Sequence, residues 1–230
     1  LGKIAGEKAG IIKPGIPVVM APQEDEARAV IVERAGTADA LLVDVARDYR
    51  WHRTEHDANG QWLWLSTPLG VWEAKVPLLG GVQIDNAATA IGVLEVLMHR
   101  GYPIEHEQVV AGLQQVRWPG RLMVVGRDPL LVLDGAHNGA SARWLAGAIR
   151  YDLPHERLLL VVGTAADKDQ HAIAAELAPL AAVVITTQAE GPRASDAQAL
   201  AEVYRQHGAA EVEAVPGVAA ALARARSLAS

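Results

Sequence analysis

The stretch VLDGAHNGASAR, residues 132–143, changes character twice. An apolar run ends in Asp134, a turn of small residues carries His137 and Asn138, and a helical pattern begins near Gly139. Strand, loop and helix follow in that order. The arrangement puts polar side chains at the carboxyl end of a strand, beside a helix amino end whose unpaired N–H groups favour anions. Such a turn can hold a nucleotide or a carboxylate.

Downstream the same alternation repeats. Strands are expected at 158–162, 183–187 and 212–215, and helices at 139–151, 170–177, 196–207 and 218–228. The strands are almost uninterrupted apolar runs, which indicates a parallel sheet covered by helices on both faces, hence an α/β fold. Functional groups in such sheets gather at the carboxyl ends of the strands. Three loops qualify, at 134–138, 163–169 and 186–193, and between them they carry Asp134, His137, Asn138, Asp167, Lys168, Asp169 and Arg193. Before the quoted stretch, residues 122–125 and 130–133 flank the turn Arg127-Asp128-Pro129, and Pro119-Gly120 marks the expected domain boundary.

Residues 1–118 read differently. A helix over 1–12 stops at Pro14-Gly15, a short strand follows at 17–21, a helix with an acidic first turn at 22–35, and a buried strand at 40–45. Residues 49–77 alternate in polarity between polar turns and should form antiparallel strands. Trp51, Trp62, Trp64 and Trp72 fall on these strands, where packing is the commoner use of tryptophan than an aromatic binding face. A helix over 85–100 is expected to start with Asp85 or Asn86 at its cap and to bury Ala87, Ala90, Ile91, Leu94 and Met98. Another helix follows at 105–116.

Composition bounds the function. A net charge of −6 without a long basic run argues against a nucleic-acid surface. No apolar run approaches the roughly 20 residues that span a bilayer, so a cytoplasmic protein with no membrane partner is expected. Zero cysteines remove disulfides and thiolate chemistry. His52 and His56 share the i, i+4 spacing that metal pairs use, but they lie in a turn-rich segment where a metal is not expected. Neither a G-x-x-x-x-G-K-[ST] loop nor a G-x-G-x-x-G loop occurs. The chain opens at Leu1, already in helical pattern, and is read as a portion of something longer.

Each candidate also has a plain structural reading. Asp134 could be a strand-end cap, and Lys168 between two acids a solvated ion pair. Arg121, after Pro-Gly, offers a planar fork suited to phosphate but could be a strand-edge charge. Lys8, among Gly6, Ala9 and Gly10, could be an exposed helical lysine. His137 beside Asn138 favours function, because paired polar groups in a turn of small residues usually face a ligand.

Taken together, EKAGIIKPG (7–15), DNAATAIGVLEVL (85–97), PGR (119–121), LDGAHN (133–138), ADKD (166–169) and GPRA (191–194) resemble the folylpolyglutamate synthase and dihydrofolate synthase family of Mur-type ligases. The resemblance runs the length of the chain. It implies a partial central ATPase domain over 1–118, without its phosphate loop, and a Rossmann-like carboxy-terminal domain over 119–230, whose last strand lies downstream. It also implies an ATP- and Mg2+-dependent ligase, expected to be monomeric, that joins L-glutamate to a folate or dihydropteroate carboxylate through an acyl phosphate. By the same resemblance Asn86, Arg121 and Asp134 match ATP contacts. Lys8 matches a lysine carried as a carbamate, able in that form to support magnesium, and His137 and Asn138 match a turn facing the reacting groups. Two positions depart from the family: Val82 stands before Gln83 where His is usual, and Gly139 follows AHN where Pro is usual. Two further readings remain, a Mur-type ligase acting on a cell-wall precursor and a non-catalytic nucleotide-binding relative.

Overall fold

In the computed structural model, which describes residues 1–229, the chain forms two compact units, Leu1–Arg117 and Trp118–Ser230. The first begins with α1 (Gly2–Ala9), β1 (Val18–Met20), α2 (Asp25–Thr37) and β2 (Leu42–Asp44). β1 and β2 pair in parallel, with Val19 opposite Val43. Gly36 falls inside α2 instead of stopping it; the chain turns at Asp39, where φ is 47. The expected strand over 40–45 is cut short because Val45 opens a one-turn helix, α3 (Val45–Asp48). Its N-terminal side is tied by the Asp48 carboxylate, which accepts the Asp44 N–H at 2.8 Å.

β3 (Arg50–Asp57), β4 (Gly60–Thr67) and β5 (Gly70–Val76) form the expected antiparallel meander. β4 shows the period of two plainly: Gln61, Leu63 and Leu65 are buried, while Trp62 points outward, 40% exposed. The tryptophans therefore divide. Trp72 is buried in the core and Trp51 packs against it, but Trp62 and Trp64 lie on the outer face, Trp64 with its ring 5.0 Å from that of His52.

The inner face packs on α4 (Gly81–His99) and α5 (His106–Gln115). α4 begins four residues before the expected start: its cap is Gly80, at φ 88, so Asp85 and Asn86 lie within the helix. The cause is distant in sequence. Gln61 is fully buried, and its Nε2 donates to the carbonyls of Leu78 (2.7 Å) and Gly80 (2.8 Å), which fixes the chain entering the helix. The buried face holds Ala87, Ile91 and Glu95, while Ala90 is exposed, contrary to expectation.

The second unit opens with the hairpin β6 (Met123–Arg127) and β7 (Leu130–Leu133), then α6 (Gly139–Tyr151). β8 (Leu159–Val162), α7 (Gln170–Leu177), β9 (Val183–Thr186), α8 (Ala197–Gln206), β10 (Val212–Ala214) and α9 (Val218–Ala229) follow. The parallel sheet has the order β10-β9-β8, and β7 pairs with β6 alone rather than joining it. Successive β9 residues serve opposite faces: Val184 packs with residues of α6, α7 and α8, whereas Val183 and Ile185 pack with Ala221 of α9. Among the described residues no helix is long and apolar enough to cross a membrane.

Candidate active site

The turn after β7 is built by Asp134. One carboxylate oxygen accepts the Ala136 N–H at 2.8 Å, closing an Asx turn, and the other accepts the Leu122 N–H at 2.9 Å. Leu122 is buried at φ 44, a backbone region that leucine rarely occupies, and the Asp134 bond helps to hold it there. The plain reading of Asp134 as a helix cap is not realised, since Asn138 caps α6; the exposed Asp134 carboxylate instead fixes the turn and the start of the hairpin.

His137 Nδ1 lies 3.0 Å from the Gly135 carbonyl. A carbonyl only accepts, so the bond requires the hydrogen on Nδ1. With that tautomer Nε2 of the exposed ring is left as an acceptor. Asn138 is the N-cap of α6: its Oδ1 accepts the Ser141 N–H at 2.8 Å. Ser141 Oγ accepts in return the N–H groups of His137 (3.0 Å) and Asn138 (3.1 Å), a role the sequence reading missed because the usual residue at the third helical position of a capping box is Glu or Gln. The Asn138 amide nitrogen makes no bond among the described residues.

Arg121 joins this turn. A Cβ placed on Gly135 would stand 2.6 Å from Arg121 Nη1, so only glycine lets the guanidinium lie against the chain here. Arg121 is exposed and forms no ion pair among the described residues. A fork of N–H donors without a partner is chemically ready for an oxyanion.

The neighbouring loop meets the turn through its helix. A Cβ on Gly139 would lie 2.9 Å from the Cβ of Ala172, so the amino ends of α6 and α7 are side by side. α7 is capped by Asp169, which accepts the Ala172 N–H at 2.9 Å. Lys168 pairs with Asp167 at 3.9 Å, as the solvated reading has it. The loop ending at Arg193 closes on the same region, its Arg193 carbonyl accepting the Ala166 N–H at 2.8 Å and Ser195 donating to the Thr164 carbonyl at 2.9 Å. Gathering is thus achieved by paired helix ends and loop-to-loop bonds, not by β7 lying in the parallel sheet.

The candidates of the first unit lie on different helices. Lys8 is in the last turn of α1, on the exposed side opposite buried Ala5 and Ala9. Asn86 is exposed on α4, its Nδ2 donating to Gln83 Oε1 at 3.1 Å. Beside it, Asp85 accepts the Trp51 indole N–H at 2.8 Å. Burial raises the carboxyl pKa above its ordinary value, and the indole bond opposes that shift. No group of three metal-ligating side chains occurs among the described residues.

Residues 120–230 match the family described as Mur ligase, glutamate ligase domain. The chain is 33% identical over 229 residues to a probable bifunctional folylpolyglutamate synthase/dihydropteroate synthase of Halobacterium salinarum, covering 97% of this chain and 27% of that protein. It is 32% identical over 207 residues to the dihydrofolate synthase/folylpolyglutamate synthase of Mycobacterium tuberculosis, covering 86% of this chain and 42% of the relative. Among solved structures, M. tuberculosis folylpolyglutamate synthase complexed with ADP and AMPPCP superposes with a TM-score of 0.91 at 31% identity, over 99% of this chain and 52% of that one. E. coli FolC in complex with DHPP and ADP gives 0.84 at 27% identity, over 98% and 50%. The chain spans about half or less of the length of these relatives. It belongs to the Mur ligase family of folylpolyglutamate and dihydrofolate synthases, with residues 120–230 forming the glutamate ligase domain.

Proposed function

We propose that this chain is the carboxy-terminal portion of an ATP-dependent ligase that adds L-glutamate to a folate or dihydropteroate carboxylate through an acyl phosphate. The observation that carries the reading is the likeness to the mycobacterial enzyme over 99% of the chain. Residues 1–118 would be part of the central ATPase domain and 119–230 the ligase domain.

Each exposed group has a chemical task under this reading. Arg121, free of ion pairs among the described residues, suits the phosphates of ATP, and Asp134 on the adjoining turn suits its adenosine portion; Asn86 of the first unit is assigned a nucleotide contact by motif resemblance alone. His137, with Nε2 open, and Asn138, with its amide free, face the carboxylate and the glutamate amine, which must be held close and in line to react. Bound magnesium would neutralise phosphate charge. This chain offers it one ligand, Lys8 as a carbamate, and no other grouping of ligating side chains among the described residues.

The test uses the full-length protein and the 230-residue chain side by side, with dihydropteroate, a reduced folate and a cell-wall precursor as acceptors. Glutamate addition to a pteridine acceptor by the full-length protein, with none by the 230 residues alone, is the expected outcome. Turnover of the cell-wall acceptor instead, or of none, rejects the reading.

A further inference from the structure

His171 and His207 carry chemistry that the ligase reading does not use. His171 is the second residue of α7 and His207 caps the carboxyl end of α8. His171 is exposed and His207 half-buried, with Nδ1 of His171 3.1 Å from Nε2 of His207 and the rings at 63°.

Their positions are set by the backbone beneath. α7 and α8 are locked together by Ile173, Leu177, Leu200 and Tyr204, all buried in one core. His207 is fixed further by its own N–H, which donates to the Tyr204 carbonyl at 3.2 Å. One imidazole on α7 and one on the C-cap residue directly after α8 are thus held with their nitrogens 3.1 Å apart by two packed helices.

We infer that His171 and His207 form a two-histidine site for a borderline divalent transition-metal ion such as Zn2+. With metal–nitrogen bonds of about 2.0–2.1 Å, two cis imidazole nitrogens stand about 2.9 Å apart in a square-planar site and about 3.3 Å apart in a tetrahedral one, so 3.1 Å falls between the two. In the neutral pair one ring donates its N–H to the other. The ion replaces that hydrogen: the donor ring keeps one proton, on its solvent-facing nitrogen, and both inner lone pairs become ligands. The open positions are filled by water, since no group of three metal-ligating side chains occurs among the described residues. The carboxyl end of α8 favours a cation, and Asp169 at the amino end of α7 offsets the opposing dipole there.

The experiment titrates the tag-free 230-residue chain with ZnCl2 by calorimetry, with MgCl2 as the hard-cation control, on wild type, His171→Ala, His207→Ala and a His52→Ala/His56→Ala control. One Zn2+ per chain is expected, weakened by about ten-fold or more in each single variant, since even outer-shell changes cost about 10–100-fold. The His52/His56 control should bind as wild type, and Mg2+ should not bind there. Neither residue is buried, so metal-free unfolding midpoints should change little, while Zn2+ should raise the midpoint of wild type only. Equal Zn2+ affinity in wild type and both single variants, or loss only in the His52/His56 control, overturns the proposal.

Discussion

Glu95 Oε1 accepts the indole N–H of Trp72 at 2.7 Å in the interior of the first unit. The same oxygen accepts Thr67 Oγ1 at 2.6 Å, and the other accepts the Tyr49 hydroxyl at 2.7 Å. Glu95 is 3% exposed, so one buried carboxylate ties the end of β4, β5 and the residue before β3 to α4. Replacing it with Ala strands two buried donors, Tyr49 and Trp72, and a half-buried one, Thr67. Glu95→Ala should therefore destabilise the unit by about 3 kcal/mol or more, and Glu95→Gln by less because one carbonyl oxygen remains. Denaturant unfolding followed by tryptophan fluorescence reads both, and a loss under about 1 kcal/mol for Glu95→Ala would contradict the network.

Tyr49 and Tyr204 give a pH prediction of defined sign. Burial raises both phenols above their ordinary value of 10.0, with the Glu95 bond and charge adding to the rise at Tyr49. The folded state therefore keeps these protons when the unfolded chain begins to lose them. The stability they contribute is intact below pH 10 and falls as pH rises above it, by up to about 1.4 kcal/mol per pH unit for each residue. Tyr49→Phe and Tyr204→Phe should each flatten this alkaline slope.

The two tyrosines differ at neutral pH. The Tyr204 hydroxyl is buried without a hydrogen-bond partner, so Tyr204→Phe should be neutral or stabilising by about 1 kcal/mol. Tyr49→Phe removes a donor from Glu95 and should cost about 1–2 kcal/mol. Thermal melts at pH 7.5 distinguish the pair; a destabilised Tyr204→Phe would show that the hydroxyl has a role in the core.

What the sequence made legible was periodic or local. Period-two alternation located the meander, apolar runs located the parallel sheet, and the switch from apolar run to small polar residues located the turn from Asp134 to Asn138, though not its bonds. What it hid depended on partners far along the chain. Gln61 sets the start of α4 from 19 positions away through the Gly80 carbonyl, and Trp51 draws Asp85 away from any capping role. Glu95 reads as a solvated helical acid until Tyr49 and Trp72 are seen to enclose it. Asp134, His137 and Asn138 were legible together because one turn carries them, and Arg121 and Lys8 were singled out separately by a Pro-Gly before the one and small helical neighbours around the other, whereas the ligand role of Asn86 came from motif resemblance alone.

Asn138 combines capping with its proposed catalytic duty, and substitutions can separate them. Asn138→Asp keeps the oxygen that accepts Ser141 N–H and adds charge favourable to a helix amino end, so stability should hold within about 0.5 kcal/mol. It loses the free amide donor and places an anion where anionic substrates are proposed to sit. Glutamate addition by the full-length protein should then fall by about ten-fold or more, equivalent to about 1.4 kcal/mol in the barrier. Asn138→Ala should lose about 1 kcal/mol of stability as well. Normal turnover by Asn138→Asp would confine Asn138 to capping.

Gly139, where the family usually has proline, gives a test of the helix pairing. An added Cβ would stand 2.9 Å from the Cβ of Ala172, and neither atom is the end of a flexible side chain. Gly139→Ala should therefore destabilise the second unit by about 1–2 kcal/mol through overpacking, although alanine is the better helix former. Ala172→Gly alone should cost about 1 kcal/mol for glycine in a helix. Combined, the two changes exchange the Cβ across the contact and remove the clash, so the double variant should be more stable than the sum of the single losses predicts, by at least about 0.5 kcal/mol. The cycle is read by denaturant unfolding of all four proteins. Strict additivity would mean that α6 and α7 do not meet at these residues, and that the two helix amino ends are not held side by side.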